Sequence, residues 1–202
     1  RGIVTDEMLR SPVISERALA ENGVEVQTAE VVSVGGGLGS FVLMDLLRNS
    51  GMSTADLVAI GTETKPHARY ERLCQNSQIP PHERLRSNSD SCPDNVWGFP
   101  GYAVREGLHS VSRGDLKNAL SVFWSVFGEP AIAQTYTPRT DQVFPSIDKE
   151  AARIGWQQIL QLGRVRAIRK TEEGRIAAIV SRTDFSTGGD RRHVAIAGRA
   201  VH

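Results

Sequence analysis

Four glycines in five positions, Gly35-Gly36-Gly37-Leu38-Gly39, separate two segments of different period. Upstream, Val24 to Val34 is rich in valine and ends in Val31-Val32-Ser33-Val34, the pattern of a buried strand. Downstream, Phe41, Leu43, Met44, Leu46 and Leu47 recur at helical spacing until Asn49-Ser50-Gly51 supplies a stop. Asp56 to Gly61 then reads as a second buried strand. Strand, glycine turn, helix and strand make a β-α-β unit, so the two strands are expected side by side and parallel in one sheet.

The chemistry of such a turn follows from what glycine lacks. Without a Cβ the backbone N–H groups approach an anion closely, and the helix that follows adds the partial positive charge of its N-terminus. In the G-x-G-x-x-G spacing Gly35 makes the turn, Gly37 permits the close approach, and Ser40 takes the third small position, where Gly or Ala is usual. The pyrophosphate of a dinucleotide is therefore expected on Gly35, Gly36, Gly37, Leu38, Gly39 and Ser40. Thr62 and Glu63 follow the second strand, where an acidic side chain bonds the adenosine ribose. Lys65 and Arg69 are residue types that accept a 2′-phosphate, which keeps NADP open.

Other chemistries lack their residues. No Lys follows the glycines, which removes the triphosphate-binding P-loop, and G-x-S-x-G, H-E-x-x-H and C-x-x-C are all absent. Cys74 and Cys92 read as ordinary thiols of a reducing cytoplasm. His67, His82, His109, His193 and His202 are scattered and read as surface or loop residues rather than metal ligands. With 24 Lys plus Arg against 23 Asp plus Glu in 202 residues, no global charge draws the chain to nucleic acid or membrane. Its apolar runs fall short of the roughly 20 residues that span a bilayer. A soluble globular protein is expected, and the start at Arg1 points to a piece of a longer chain.

Elsewhere the pattern predicts a helix over 11–23 with Ser11 as its cap, and an irregular loop from Thr62 to Gly101 that carries five prolines and the ring-rich stretch Trp97 to Tyr102. In that loop Arg86 is a candidate phosphate partner and Trp97 a candidate cover for a flavin or substrate ring. Asp115 is placed to cap a helix whose Leu116, Ala119, Leu120, Phe123, Trp124 and Phe127 form a core-facing stripe, closed by Gly128 and Pro130. Another helix is expected from Ser146 to Leu162. Arg164 to Arg169, Arg175 to Ser181 and His193 to Ala197, joined by turns at Glu172-Glu173-Gly174 and Ser186 to Asp190, predict an antiparallel three-stranded meander.

The Gly35 to Ser40 turn within Glu30 to Glu63, together with the helix leading into a meander from Leu160 to His202, resembles the glutathione-reductase-type class of FAD/NAD(P)-binding flavoproteins. The resemblance implies an α/β, Rossmann-like three-layer fold whose parallel sheet carries the meander as an insertion, with 1–29 as a lead-in and 30–202 as the binding domain. It implies FAD as cofactor, NAD(P)H as a possible second one, and a small-molecule substrate. It also makes Gly163 to Ile168 the strand that touches the adenine through its backbone, at Val165. The middle, Thr62 to Arg139, matches no motif of the class, and its later Ala-Thr-Gly-like and Gly-Asp segments are not seen before His202. Further domains of a longer chain are therefore expected. An FAD-dependent oxidoreductase is the leading expectation, beside an NAD(P)-binding dehydrogenase and a non-catalytic nucleotide-sensing module.

Overall fold

The structure is a computed structural model that describes residues 2–83, 99–133, 139–184 and 190–202. The chain forms two compact units, one from Arg1–Pro66 with Ile154–His202 and one from His67–Arg153.

The first unit opens with α1 (Asp6–Arg10), β1 (Val13–Ile14) and α2 (Glu16–Glu21). The expected single helix over 11–23 is thus corrected. Ser15, not Ser11, caps α2 by accepting from the Ala18 N–H, and β-branched Val13 and Ile14 add to the sheet instead. Then follow β2 (Glu25–Val34), α3 (Leu38–Asn49) and β3 (Leu57–Gly61), as the glycine turn predicts. After the second unit the chain returns through α9 (Trp156–Ile159), β4 (Leu160–Leu162), β5 (Arg164–Thr171), β6 (Ile176–Asp184) and β7 (Asp190–Val201). The helix expected to run to Leu162 is broken at Gly155, whose φ of +78° ends regular winding, and Leu160–Leu162 pairs with β3.

These strands form one sheet in the order β1-β5-β6-β7-β2-β3-β4. Neighbours are parallel except in the meander β5-β6-β7. The expected fold class, a Rossmann-like α/β arrangement with a parallel sheet and an inserted antiparallel meander, is the observed one. Strand β7 is longer than expected because it pairs on both sides, antiparallel with β6 and parallel with β2. The two-residue alternation sends Ala178, Val180, Val194 and Ile196 into one core with Val32, Val58 and Ile60. Ile179 and Ala195 enter another core with Val4, Ile14 and Leu19. Burial on both faces explains why β6 reads as an unbroken apolar run.

The second unit contains α4 (Ala68–Asn76), α5 (Phe99–Ser112), α6 (Leu116–Phe123), α7 (Glu129–Ala133) and α8 (Thr140–Ile154), whose last residue belongs to the sheet unit. Helices α4 and the start of α5 correct the expectation of an irregular loop over 62–101. Asp115 caps α6 as expected, accepting from the Asn118 N–H. The stripe that follows is not core: Leu116, Leu120, Trp124 and Phe127 are 57–70% exposed. Helix α6 meets α5 through smaller contacts, with Ala119 buried and the Phe123 ring set against Gly107, where a Cβ would lie 2.9 Å from the ring. Gly128 is no stop either. A π-helical turn, Trp124–Gly128, carries the chain into α7, and the Trp124 indole covers Gly128 so closely that a Cβ there would overlap it.

Buried charge holds this unit. Arg153 reaches Glu106 at 2.8 Å and also pairs with Glu150, and Arg105 meets Glu150 at 3.0 Å. Burial pushes the Glu106 carboxyl up, and Lys149 and Arg153 more than reverse this, holding it below the ordinary value. His67, expected at the surface, is 1% exposed; its Nε2 lies 2.9 Å from Asp148 and its ring stacks on Phe144.

Candidate functional site

Four glycines meet at the carboxyl end of β3. Gly35, with a φ of +130°, turns the chain out of β2, and its N–H donates to the Ile60 carbonyl at 2.8 Å. Gly36 then passes against Gly61: a Cβ on Gly61 would lie 2.6 Å from the Gly36 Cα, and one on Gly36 would lie 2.9 Å from the Gly61 Cα. The Gly163 N–H donates to the Gly61 carbonyl at 2.8 Å and joins the start of β5 to the same point. Gly61 and Gly163 were not singled out by the sequence reading. The available signal was a glycine directly after the apolar run Leu57 to Ile60 and directly after Leu160-Gln161-Leu162.

Gly37 and Gly39 differ from Gly36, because a Cβ on either would meet nothing within 4 Å. Gly37 is the N-cap of α3 and offers no side chain to the first-turn N–H groups, and that turn holds no acidic residue. The donors of Leu38, Gly39 and Ser40 therefore precede the reach of the helix ladder and face an open cradle without a competing carboxylate. At the other end of α3, Arg48 donates to the carbonyls of Ile154 (3.0 Å) and Met52, where a cation suits the dipole. The helix is anchored by Phe41 and Met44, both fully buried, with the Phe41 ring edge-on to Trp156 at 5.7 Å.

Trp156 does more than fill the core. Its Nε1–H donates to the Thr64 carbonyl at 3.2 Å, and Gln157 donates to the same oxygen at 3.3 Å. The segment after β3 that carries Thr62, Glu63 and Lys65 is thereby tied down. Thr62 and Lys65 are exposed and Glu63 is half-buried. Arg69 is exposed on α4, in the second unit, and Arg86, Trp97 and Cys92 lie outside the described residues. The structure thus brings together Gly35 to Ser40 and fixes Glu63 nearby in the chain, all within the sheet unit.

Val165 pairs with Val180 of β6, its side chain packs on the sheet core, and the register shifts between Val165 and Ala167. Strand β1 pairs with β5 only opposite Lys170 and Thr171. Among the described residues the outer backbone edge at Val165 therefore has no strand partner. His193 is structural: its Nδ1 accepts from the Val4 N–H at 3.2 Å, and burial, helped by Arg166, pushes its pKa down.

Among the described residues no group of three or more His, Cys, Asp or Glu side chains is placed to hold a metal ion, and no helix is long and apolar enough to cross a membrane.

No protein-family model and no curated protein matches the chain. Among solved structures it is similar to a polycyclic ketone monooxygenase from the thermophilic fungus Thermothelomyces thermophila, with 10% identity and a TM-score of 0.46 over 98% of this chain and 27% of that one. It is similar to a lysine monooxygenase from Nocardia farcinica, described for an unprecedented NADPH domain conformation, with 16% identity and a TM-score of 0.40 over 80% of this chain and 50% of that one. The third is an ornithine hydroxylase from Pseudomonas aeruginosa, with 10% identity and a TM-score of 0.44 over 86% of this chain and 38% of that one. The chain spans half or less of the length of each.

Proposed function

We propose that this chain is the dinucleotide-binding part of an FAD-dependent oxidoreductase of the glutathione-reductase type, serving electron transfer between a reduced pyridine nucleotide and a small-molecule acceptor or substrate. The observation that supports it is the cradle at the head of α3: two glycines with open space where a Cβ would stand, an uncapped helix N-terminus and no carboxylate in the first turn. These residues fit a dinucleotide pyrophosphate. The N–H groups of Gly37, Leu38, Gly39 and Ser40 would hold it, and Gly35 and Gly36 would shape the turn. Glu63 would take the ribose and the free edge at Val165 the adenine, with Thr62, Arg69 and Arg86 as further candidates. When bound, the flavin ring supplies the hydride chemistry, and the protein supplies position and a defined electrostatic setting. Residues 30–202 would form the binding domain, with further domains of a longer chain completing the enzyme.

The test uses Gly37→Asp. The backbone at Gly37 is extended and its Cβ direction is open, so Asp fits there and caps α3. We expect stability to rise by about 1 kcal/mol while a carboxylate occupies the anion cradle and FAD affinity falls by about a hundredfold or more. Titration followed by flavin fluorescence, beside a thermal melt, measures both. Unchanged FAD affinity would remove the cradle from the site. A colourless protein that tightens on NADPH points to the dehydrogenase reading, and adenine-nucleotide binding without turnover points to a sensor.

A further inference from the structure

A short helix that the glycine spacing does not require stands behind both halves of the proposed site. Helix α9 starts after Gly155, whose φ of +78° turns the chain into it. Just before the turn the Ile154 carbonyl accepts from Arg48 Nε at 3.0 Å, which fastens this stretch to the far end of α3. The Trp156 ring, fully buried, meets the near end of α3 through Phe41, the residue after Ser40. Leu160, directly behind α9, brings its Cδ1 3.3 Å from where a Cβ on Gly36 would stand and 3.6 Å from where one on Gly61 would. Residues 154–160 thus touch α3 toward both ends and the Gly36–Gly61 crossing.

The ribose half of the site depends on this stretch for its shape. Thr62, Thr64 and Lys65 are exposed and Glu63 is half-buried, so over four residues the chain after β3 buries no apolar side chain that packing could hold. Hydrogen bonds set its path instead, and two of them, from Trp156 Nε1 at 3.2 Å and Gln157 Nε2 at 3.3 Å, converge on the Thr64 carbonyl. The indole donor is a fixed point, because the ring that carries it is locked in the core. The Glu63 Cα is about 3.8 Å from that of Thr64, so a slip of Thr64 carries the carboxylate with it. A hydrogen bond that is sound at about 2.8 Å is lost about 1 Å further out.

We infer that Trp156 and Gln157 are positioning residues for the adenosine ribose: their shared grip on the Thr64 carbonyl holds Glu63 where its carboxylate accepts from a ribose hydroxyl. Through Phe41 the same tryptophan keeps this half of the site in register with the cradle at the head of α3. The inference rests on the dinucleotide reading of the turn and on Glu63 as its ribose partner. It gives α9 a part in specificity, the preference for ribose over deoxyribose, rather than in affinity alone. A tryptophan that only filled the core would, when trimmed, weaken every ligand of the turn alike.

The experiment is equilibrium titration of the whole chain with ADP, 2′-deoxy-ADP and inorganic pyrophosphate, beside FAD. The wild type is expected to prefer ADP over 2′-deoxy-ADP by about tenfold, the worth of one hydrogen bond to a charged group. Trp156→Phe combined with Gln157→Ala keeps a ring against Phe41 but removes both donors. Its preference should fall below about twofold, while its pyrophosphate affinity stays within about twofold of wild type. Gln157→Ala alone, at an exposed position that leaves the core untouched, should give an intermediate preference. Glu63→Ala should abolish the preference in the wild-type background and change nothing further in the double variant. A preference that stays at the wild-type level in Gln157→Ala or in the folded double variant overturns the inference alone. So does an equal loss for ADP, 2′-deoxy-ADP and pyrophosphate, or a wild-type chain that binds the two nucleotides alike. A folded wild-type chain that binds neither FAD nor ADP overturns the dinucleotide reading and the inference with it.

Discussion

In the sheet unit backbones come together, Gly36 and Gly163 each meeting Gly61, whereas the helical unit gathers ionised side chains, with Arg153 reaching both Glu106 and Glu150. The first kind of contact depends on the absence of a side chain and tolerates no addition. The second depends on four or five long side chains being present together and tolerates no removal. Each unit therefore has its own weak point, and substitutions at the two points should separate them.

The largest effect is expected at Gly61. Gly61→Ala places a methyl 2.6 Å from the Gly36 Cα, and there is little room to yield because Gly61 ends β3 and Gly35, next to Gly36, is bonded to the Ile60 carbonyl. A loss of about 3 to 4 kcal/mol in the sheet unit is expected, read by urea unfolding; a change within ~0.5 kcal/mol would mean that the strand ends separate easily. Arg153→Met should come next, at about 3 kcal/mol, because it leaves Glu106 and Glu150 buried without their shared cation. Hydrogen exchange resolves where the loss falls. Amides in 67–153 should lose protection while those of β2, β6 and β7 keep theirs, and uniform loss across both units would contradict the separation.

Much of the first unit was legible in the sequence. The period of two in 24–34 and 164–181, the glycine turn and the helical spacing after it all describe contacts made locally or across one hairpin. The second unit was not legible, for a physical reason: Glu106 finds its partners at Lys149 and Arg153, far along the chain, and a charged residue in a sequence looks the same whether it is solvated or buried. The stripe of Leu116, Leu120, Trp124 and Phe127 misled in the opposite direction, since apolar spacing marks a helix face but does not say that the face is covered. At the site, Gly35 to Ser40 were readable from spacing. The tie from Trp156 to Thr64, and that from Ser33 to His202, join residues with no common pattern.

Among the described residues the sheet unit also holds an ion pair of the helical kind, and it sharpens the contrast. Arg175 grips Glu16 with both ends of its guanidinium, at 3.0 and 2.5 Å, and fastens the start of α2 to the turn between β5 and β6. The hydrogen bond from Arg175 lowers the Glu16 pKa from 4.5, with burial acting against it. A lowered folded pKa gives stability that is present above about pH 4.5 and is lost as the pH falls through the folded value. Glu16→Gln should cost about 1 to 2 kcal/mol at neutral pH and nothing at pH values where Glu16 is already protonated. A penalty independent of pH would show that packing, not charge, holds α2.

The smallest effect is expected on the exposed stripe of α6. Leu120 is 70% exposed, so Leu120→Ser should change stability by no more than about 0.5 kcal/mol in a thermal melt. A larger loss would show that the stripe is covered in solution.

The double pairing of β7 sets an order of events for a chain that emerges N-terminus first. Glu25 of β2 pairs with Val194 and Val31 with Ala200, so one edge of β2 stays open until residues far downstream are available. The helical unit is drawn from the single stretch His67–Arg153. Loop closure over such a distance makes the β2 to β7 union a late and slow step. Until then Glu25 and Glu30 are the charges that keep the open edge from pairing with a neighbouring chain.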